Sequence, residues 1–517
     1  MTTPHRFVDA PELEVLNAFQ VLVEGNPFMP ERVVAERQVL GPDHVSHGVV
    51  WHVDATSSGS NANEARLRDR GEAFAKELRG RLAQGARASD EQLAAYRSLV
   101  FFVLFERFRE AFFGWIGQLD GDVGSGAGVL YGRYRRDFEH FMQIPGVELP
   151  IEESPAHVFA LGYQIRRAFH HTHRGIYGGS LPVAQLRAAV WQSIFTHDVR
   201  RYRRGLHARM ADITTLVLGQ SGTGKELVAR AVGLSAYIPY DEERKRFAEP
   251  AAALFRPVNL AALPSSLIES ELFGHRRGAF TGALDDRMGW LEECPKLGTV
   301  FLDEIGELEA GLQTKLLRVL QGRTFQRVGE TRERRFEGRI VAATNRDLGA
   351  EIAAGRFRSD LYYRLCADMI RTPTLAEQIT AAPADLDNLV LILARRMVSH
   401  AEANGFAAQV VSWIDTNLGR DYAWPGNVRE LEQCLRNVLV RGSYHPLHVR
   451  AAGANGDEFL EDVEHGRLSA EELMRAYCRR IYEREGTFEG AARALGLDRR
   501  TVKAYLATAT PTEREPG

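Results

Sequence analysis

The chain has 517 residues, 44% of them hydrophobic and 26% charged, with a formal net charge of −3. That length predicts about three domains, and the composition excludes a largely disordered or fibrous chain. The near-neutral balance excludes a protein basic throughout, so any nucleic-acid contact has to come from a local patch.

Met1 to Pro11 carries acids and no apolar core, so no signal peptide is expected there. Residues 1–173 read as a mostly helical N-terminal domain. Glu91 to Gln118 is the clearest helix, with apolar residues at three- and four-residue spacing. Further helices are expected near 62–84, 128–143 and 155–171, and the Gly-rich stretch Gly121 to Gly128 separates two of them. Phe101, Phe102, Phe105, Phe108, Phe112 and Phe113 fall on helical spacing and are expected in the core. The most apolar run, Leu99 to Phe105, is far short of the roughly 20 residues that cross a bilayer, so no membrane partner is expected. His170, His171 and His173 have a spacing that suits a metal, but surface histidines at a helix end are the preferred reading. No phosphoacceptor or sensor pattern stands out, and position alone suggests that this region regulates the rest of the chain or binds a signal or partner.

From about Gly175 short β-rich runs (Thr214 to Leu218, Thr299 to Leu302, Arg339 to Ala343) alternate with helical stretches, which predicts a parallel α/β core over residues 174–373. Gly219-Gln220-Ser221-Gly222-Thr223-Gly224-Lys225 comes directly after the first of these strands and opens a helix near Glu226. Glycines let the backbone turn its N–H groups onto phosphate oxygens, the helix N-terminus adds positive potential, and Lys225 reaches the β- and γ-phosphates. ATP is the expected ligand. Only six lysines occur in the chain, and Lys225 is one of them. Val300-Phe301-Leu302-Asp303-Glu304 delivers two carboxylates at a strand's C-terminal end, where open α/β sheets bind ligands. Asp303 is expected to hold Mg2+, through water, and Glu304 to polarise the attacking water. A helical lid is expected over 374–450, a polar linker over 451–466 and a small helical unit over 467–517. The four cysteines, Cys294, Cys366, Cys434 and Cys478, lack CxxC spacing and suit a reducing, cytoplasmic setting.

Six stretches in this order resemble the central AAA+ ATPase domain of sigma-54-dependent activators: Gly219 to Arg230, Glu269 to Ala283, Phe301 to Leu308, Ala342 to Leu348, Gly355 to Leu365 and Trp424 to Leu431. The resemblance runs from about Ile176 to Arg441 and implies roles for individual residues. Glu226, where many phosphate loops carry Ser or Thr, is normal in that family. Gly278-Ala279-Phe280-Thr281-Gly282-Ala283 resembles the loop that engages sigma-54, with Phe280 and Thr281 at its tip. Asn259 matches an asparagine that restrains the catalytic glutamate. Thr344 and Asn345 look like sensor I, and Arg429 like sensor II. Arg358 and Arg364 match paired arginines that reach a neighbouring subunit's nucleotide, which implies a homo-oligomer, a hexamer in that family. Three features depart from the pattern: Phe195 to Asp212 and Tyr237 to Leu254 are extended, and Leu375-Ala376-Glu377 replaces the usual Leu-Arg-Glu.

Toward the C-terminus, Ser469 to Glu485, Thr487 to Leu495 and Asp498 to Ala507 have the spacing of three helices with Gly496 at the turn, a helix-turn-helix pattern. They resemble the Fis-type end of the same activators. Asp498 is expected to cap the last helix, leaving Arg499, Arg500, Thr501 and Lys503 for upstream promoter DNA. The resemblance implies an ATPase that remodels the closed complex of sigma-54 RNA polymerase holoenzyme. A AAA+ machine with another client and a DNA-binding regulator with a vestigial ATPase are the alternatives.

Overall fold

The computed structural model describes residues 6–46, 62–116, 124–150, 153–446, 463 and 468–507. The expected linker over 451–466 lies outside the described residues apart from Val463, as do Gly121 to Val123 of the expected glycine-rich break. The chain divides after Tyr444 into two compact units, taken in turn.

The first unit begins with seven helices: α1 (Ala10–Glu24), α2 (Glu31–Leu40), α3 (Ala62–Ala83), α4 (Asp90–Arg107), α5 (Arg109–Ile116), α6 (Gly124–Met142) and α7 (Pro155–Gly175). Capping boxes at Asp9/Glu12 and Ser89/Gln92 start α1 and α4 by satisfying amides that have no partner inside the helix. The long helix expected over 91–118 is two helices that meet at Phe108. The bend lets Phe108 pack on Tyr134 and Phe112 on Phe159, with ring centroids 5.1 and 5.4 Å apart. Phe101, Phe105, Phe108 and Phe112 are buried and Phe102 and Phe113 partly so, as their spacing predicted. His170, His171 and His173 are half-buried in the last turns of α7 rather than on the surface, and no metal-holding cluster occurs among the described residues. Burial pushes His171 down to about 3 and His173 down to about 4, in each case with neighbouring positive charge acting in the same direction.

Those shifts have a sign. The unfolded histidines take up protons below their ordinary value near 6.5 while the folded ones stay neutral, so stability falls as pH drops from about 6.5 toward 4. The unfolding midpoint of the chain is therefore expected to fall between pH 7 and pH 5, and a His171→Phe, His173→Phe variant to fall less over the same interval. Parallel slopes for the two proteins would refute this account.

Next come α8 (Leu181–Phe195) and α9 (Val199–Arg204), then the strands β1 (Thr215–Leu218), β2 (Tyr240–Asp241), β3 (Arg246–Phe247), β4 (Phe255–Asn259), β5 (Gly274–His275), β6 (Arg287–Met288), β7 (Thr299–Asp303), β8 (Thr324–Phe325), β9 (Arg334–Arg335), β10 (Arg339–Thr344) and β11 (Asp368–Arg371). Between them lie α10 (Lys225–Gly233), α11 (Ser265–Phe273), α12 (Trp290–Glu293), α13 (Ala310–Gly322), α14 (Leu348–Ala353) and α15 (Ser359–Leu365). One sheet is parallel throughout, in the order β11-β1-β10-β7-β4. Its inner strands are buried on both faces, which is why they read as apolar runs. The two strands that no apolar run marks, β4 and β11, are the sheet's edges, where Pro257 and alternating polar residues are tolerated.

The two extended segments grip the helical bundle. In the first, Arg203 of α9 forms a buried ion pair with Glu153 at 2.6 Å and its guanidinium lies over Phe101. Tyr202, from the same segment, accepts a hydrogen bond from Gln164 of α7. In the second, the β2–β3 hairpin inserts Tyr240 and Phe247 among Tyr131, Phe159 and Tyr163, with ring centroids 4.6 to 5.9 Å apart. The bundle thus packs on the α/β core partly through surface that this core adds to itself, beside the direct contact of α7 with the end of α10.

A lid of α16 (Leu375–Ala381), α17 (Asp385–Met397), α18 (Ala403–Asn417) and α19 (Asn427–Arg441) closes the first unit around its own apolar core, including Leu386, Val410, Trp424 and Leu431. The second unit contains α20 (Ala470–Glu485), α21 (Phe488–Leu495) and α22 (Arg499–Ala507), packed on Ile481, Ala491, Ala492 and Val502. Gly496 sits at φ +66° in the turn between the last two helices, a conformation glycine adopts without strain. Among the described residues, no helix is long and apolar enough to cross a membrane.

Candidate nucleotide-binding site

Sheet order brings the site together. In register, Leu218 of β1 lies beside Thr344 of β10, and Asn259 of β4 beside Asp303 of β7. The loops that leave these strands therefore share the C-terminal edge of the sheet, the usual ligand position in such folds. Gly222 and Gly224 hold φ +79° and +89°, which lets the loop 219–224 curl back and turn successive amides inward. Glycine is required at two of these positions for space as well. A Cβ on Gly219 would lie 1.9 Å from Thr372 Oγ1, and one on Gly222 would lie 2.3 Å from the carbonyl oxygen of Gly426. Thr223 is buried, and its hydroxyl donates to the Gln220 carbonyl at 2.8 Å and shares a 2.7 Å hydrogen bond with Thr372.

Lys225 is buried at the first turn of α10, where its ammonium donates to the carbonyls of Gly219 and Gln220 at 3.1 and 3.3 Å. It also lies 3.8 Å from the carboxylate of Glu304. Glu226 is exposed on the same turn. Asp303 is half-buried, and burial raises its carboxyl above the usual range, with Lys225 opposing. A carboxylate whose charge is disfavoured by burial is one that a bound cation stabilises, so Asp303 fits Mg2+. Glu304 follows in the left-handed region at φ +56°, ψ +49°. For a residue with a Cβ this costs on the order of 1 kcal/mol, and such strain concentrates at working sites. The bend aims its carboxylate across the sheet edge, where it accepts from the Asn345 amide at 3.3 Å. Thr344 is buried beside it, and its hydroxyl accepts from the Arg346 amide at 3.1 Å.

Asn259 uses its side-chain oxygen to cap the next turn, accepting from the Ala261 amide at 3.0 Å. Among the described residues no hydrogen bond joins it to Glu304, which is held by Asn345 and faces Lys225. Arg429 of α19 donates to the Ser221 hydroxyl at 3.0 Å, so the lid reaches the phosphate loop. Sequence reasoning passed over its neighbour. Asn427 is buried at φ +53°, donates to Gln220 Oε1 and the Ser221 carbonyl at 3.3 and 3.0 Å, and accepts from the Leu375 amide. It lies within the same Trp-Pro-Gly-Asn-Val-Arg run, so the signal was present; only a fold shows that an asparagine there ties lid to loop. Arg358 and Arg364 lie on exposed positions of α15 and its cap. Arg358 forks onto Asp360 at 3.0 and 2.7 Å, while Arg364 has no ion pair among the described residues.

Gly278 to Ala283 projects from the β5–β6 hairpin that comes after α11. Gly278 and Gly282, at φ +79° and +104°, bracket the tip, and the Gly278 amide closes it by donating to the Ala283 carbonyl at 2.9 Å. Thr281 is exposed and Phe280 is 39% exposed, its ring 5.0 Å from that of His275. A second hairpin, β8–β9, is fastened beside it by Arg327 and Arg334, which both bind Glu292 of α12 at 2.6 to 2.8 Å.

The family model described as the Sigma-54 interaction domain matches residues 196–371, which contain every strand of this sheet and the β2–β3, β5–β6 and β8–β9 hairpins. The chain carries a sigma-54 interaction domain. The anaerobic nitric oxide reductase transcription regulator NorR of Shigella flexneri is 42% identical over 255 residues, 49% of this chain and 45% of that protein. NorR of Klebsiella pneumoniae is 43% identical over 256 residues, 49% and 44% of the two chains. The chain thus spans about half the length of the curated relatives it matches. Among solved structures, NtrX from Brucella abortus is 26% identical over 68% of this chain and 73% of its own, with a TM-score of 0.39. The same protein in complex with ATP is 23% identical over 69% of this chain and 76% of its own, with a TM-score of 0.40.

In the second unit, Asp498 caps α22 by accepting from the amides of Arg500 and Thr501 at 2.8 and 3.0 Å. It also takes the Thr501 hydroxyl at 2.6 Å, the bond that contributes most to holding its carboxyl below the usual range. Arg499 pairs with Glu489 at 3.3 Å, and Arg500 and Lys503 are exposed.

Proposed function

We propose that this protein hydrolyses ATP to remodel sigma-54 RNA polymerase holoenzyme at its promoters. The observation that carries the reading is one α/β core holding Lys225, Asp303 and Glu304 at its sheet edge while a glycine-hinged hairpin presents Phe280 and Thr281 to solvent. The loop amides and Lys225 hold the β- and γ-phosphates, and Arg429 meets them from the lid. Asp303 would hold Mg2+, which when bound would supply charge neutralisation on the phosphate oxygens. Glu304 takes the proton of a water that attacks the γ-phosphorus; the bond to the β,γ-bridging oxygen breaks, and ADP and phosphate leave. Arg358 and Arg364, exposed on α15, act on the nucleotide of the adjacent subunit in a hexameric ring. From the sheet edge at Asn259 the chain runs through a short turn and α11 to the hairpin, so a shift at the edge moves the loop. An apolar ring between glycines suits a moving contact, because it supplies binding energy while the glycines supply freedom. The helix-turn-helix reading assigns Arg499, Arg500 and Lys503 to upstream DNA; Thr501, whose hydroxyl serves Asp498, would position the helix.

The test separates motor from client. Thr281→Ala is expected to keep ATP turnover within about twofold, since the side chain is exposed and distant in sequence from the sheet edge, and to abolish isomerisation of a sigma-54 closed complex. A Thr281→Ala protein that still isomerises the complex, or a wild type that hydrolyses ATP but never does so, would overturn the reading in favour of another client.

A further inference from the structure

Arg167 of α7 is fully buried, and burial pulls its guanidinium down from its usual value. The groups that oppose this shift are the phenols Tyr163 and Tyr202, not a carboxylate. Other buried arginines differ: Arg203 has Glu153, Arg187 has Asp385 and Arg339 has Asp368. An interior cation without a counter-charge is costly, and an apolar side chain of similar size would fill the space at less cost.

What answers the charge is the end of α10. Arg167 donates to the carbonyls of Leu234 and Ala236 at 2.7 and 2.5 Å, and Gln164, one turn earlier on α7, donates to that of Ser235 at 2.8 Å. Three successive carbonyls directly after Gly233, the last residue of α10, are thus taken by side chains of α7. A helix leaves its last carbonyls without partners and carries partial negative charge there, so a cation at that end satisfies acceptors and meets opposite charge. The Tyr163 ring flanks the guanidinium at 4.9 Å.

The other end of α10 is the phosphate loop. The helix opens at Lys225, and residues 219–224 run straight into it. Its nine residues make a rod about 14 Å long, too short to bend much. Val228, Ala229 and Val232 bury its flank in the apolar core. Apolar contact is non-directional and leaves a helix free to slide or turn by small amounts, whereas hydrogen bonds at one end fix it. Where α7 holds the last turn therefore decides where Lys225 and the loop stand.

We propose that Arg167 is a positioning residue for nucleotide binding: it holds the C-terminal end of α10, sets the phosphate loop through that helix, and so couples the helical bundle to nucleotide occupancy. The proposal rests on residues 219–225 being the nucleotide site. Such coupling is reciprocal, so nucleotide acts on α7 as much as α7 acts on nucleotide.

The full chain is titrated with a fluorescent ATP analogue. Arg167→Met, which fills the space without charge or donors, is expected to weaken binding about tenfold, the equivalent of one or two lost hydrogen bonds. Turnover at saturating ATP is expected to stay within about twofold, so the loss falls on KM and not on kcat. Arg167→Lys keeps the charge and is expected between the two. Tyr240→Ala is the control: it loosens the bundle from the β2–β3 hairpin, where Tyr240 packs on Tyr131 and Phe159, and leaves the bonds from α7 to residues 234–236 in place. Wild-type affinity is expected for it. Hydrogen exchange supplies the reverse arm. The analogue is expected to slow exchange of the α7 amides about fivefold in wild type, and to leave it unchanged in saturated Arg167→Met. Gln164→Leu, which removes the bond to Ser235, stands in if Arg167→Met fails to fold, with a loss of about threefold expected. Wild-type affinity in Arg167→Met or its stand-in, an equal loss in Tyr240→Ala, or α7 exchange indifferent to nucleotide would overturn the proposal. Failure of the wild type to bind the analogue would instead overturn the reading of residues 219–225, and the coupling with it.

Discussion

Glu304→Gln is expected to slow ATP turnover by about hundredfold or more, the contribution of a positioned general base, while nucleotide binding persists. The geometry makes the substitution a clean one. The wild-type carboxylate accepts from the Asn345 amide, and a glutamine oxygen accepts in the same way, so the side chain stays in place and only its basicity goes. Its backbone remains at φ +56°, a conformation glutamine tolerates no worse than glutamate. The charge facing Lys225 at 3.8 Å is lost as well. That frees the ammonium from a carboxylate that competes with phosphate, so affinity for ATP is expected to hold or rise. The measurement is steady-state phosphate release beside equilibrium binding of an ATP analogue. Loss of binding in step with loss of turnover would make Glu304 a structural residue, and an unchanged rate would make the ATPase assignment wrong.

Asp385→Ala is expected to cost about 3 kcal/mol of stability, the scale for removing one side of a buried charged network. Asp385 opens α17 in the lid, is fully buried and accepts from the amides of Gly179 and Ser180 at 2.5 and 2.8 Å. Beside it, Arg187 donates to the carbonyls of Ile176 and Gly178 at 2.8 and 2.5 Å. Burial pushes the Arg187 guanidinium down to about 10, and the Asp385 carboxylate opposes that shift. Truncation leaves two buried amides without acceptors and one buried cation without its counter-charge, and a small side chain lets in little water to replace them. The loss also loosens the lid from the turn before α8, so nucleotide affinity is expected to weaken along with stability. Chemical denaturation of wild type, Asp385→Asn and Asp385→Ala checks this: the asparagine, which keeps one acceptor, is expected between the other two. A loss under about 1 kcal/mol for alanine would show that the network is not what docks the lid.

The phosphate-loop half of the protein was legible because its residue patterns are local in sequence. A phosphate loop needs glycines and a lysine within seven positions, and Gly219 to Lys225 supplies them next to a strand and a helix. The same holds for the pair Asp303-Glu304 at a strand end and for a loop bracketed by Gly278 and Gly282. Contacts that join distant segments were not legible. Asn427 and Thr372 meet the phosphate loop from about 207 and 149 positions away, and nothing in either neighbourhood advertises the meeting. Asn259 shows the converse: a motif places it beside Asp303 in register, but its side chain spends its oxygen on the next turn of the chain.

The helical third illustrates the division most clearly. Periodicity alone placed helices near 62–84, 128–143 and 155–171 and put the phenylalanines of α4 and α5 in the core, because a 3.6-residue repeat of apolar side chains has few other solutions. It could not show that Phe108 bends one helix into two, since that depends on Tyr134 and Phe159 arriving from α6 and α7. Nor could it show why the α/β core carries extra chain at Phe195 to Asp212 and Tyr237 to Leu254. Those segments look like unexplained insertions until Arg203 meets Glu153 and Tyr240 meets Tyr131. Sequence by itself marked the phosphate loop and the acidic strand end, because phosphate chemistry demands particular residues at short range. Tertiary structure decided how the helical bundle is joined to it, because packing is satisfied by shape and apolarity that many sequences supply, and only the folded chain says which surfaces meet.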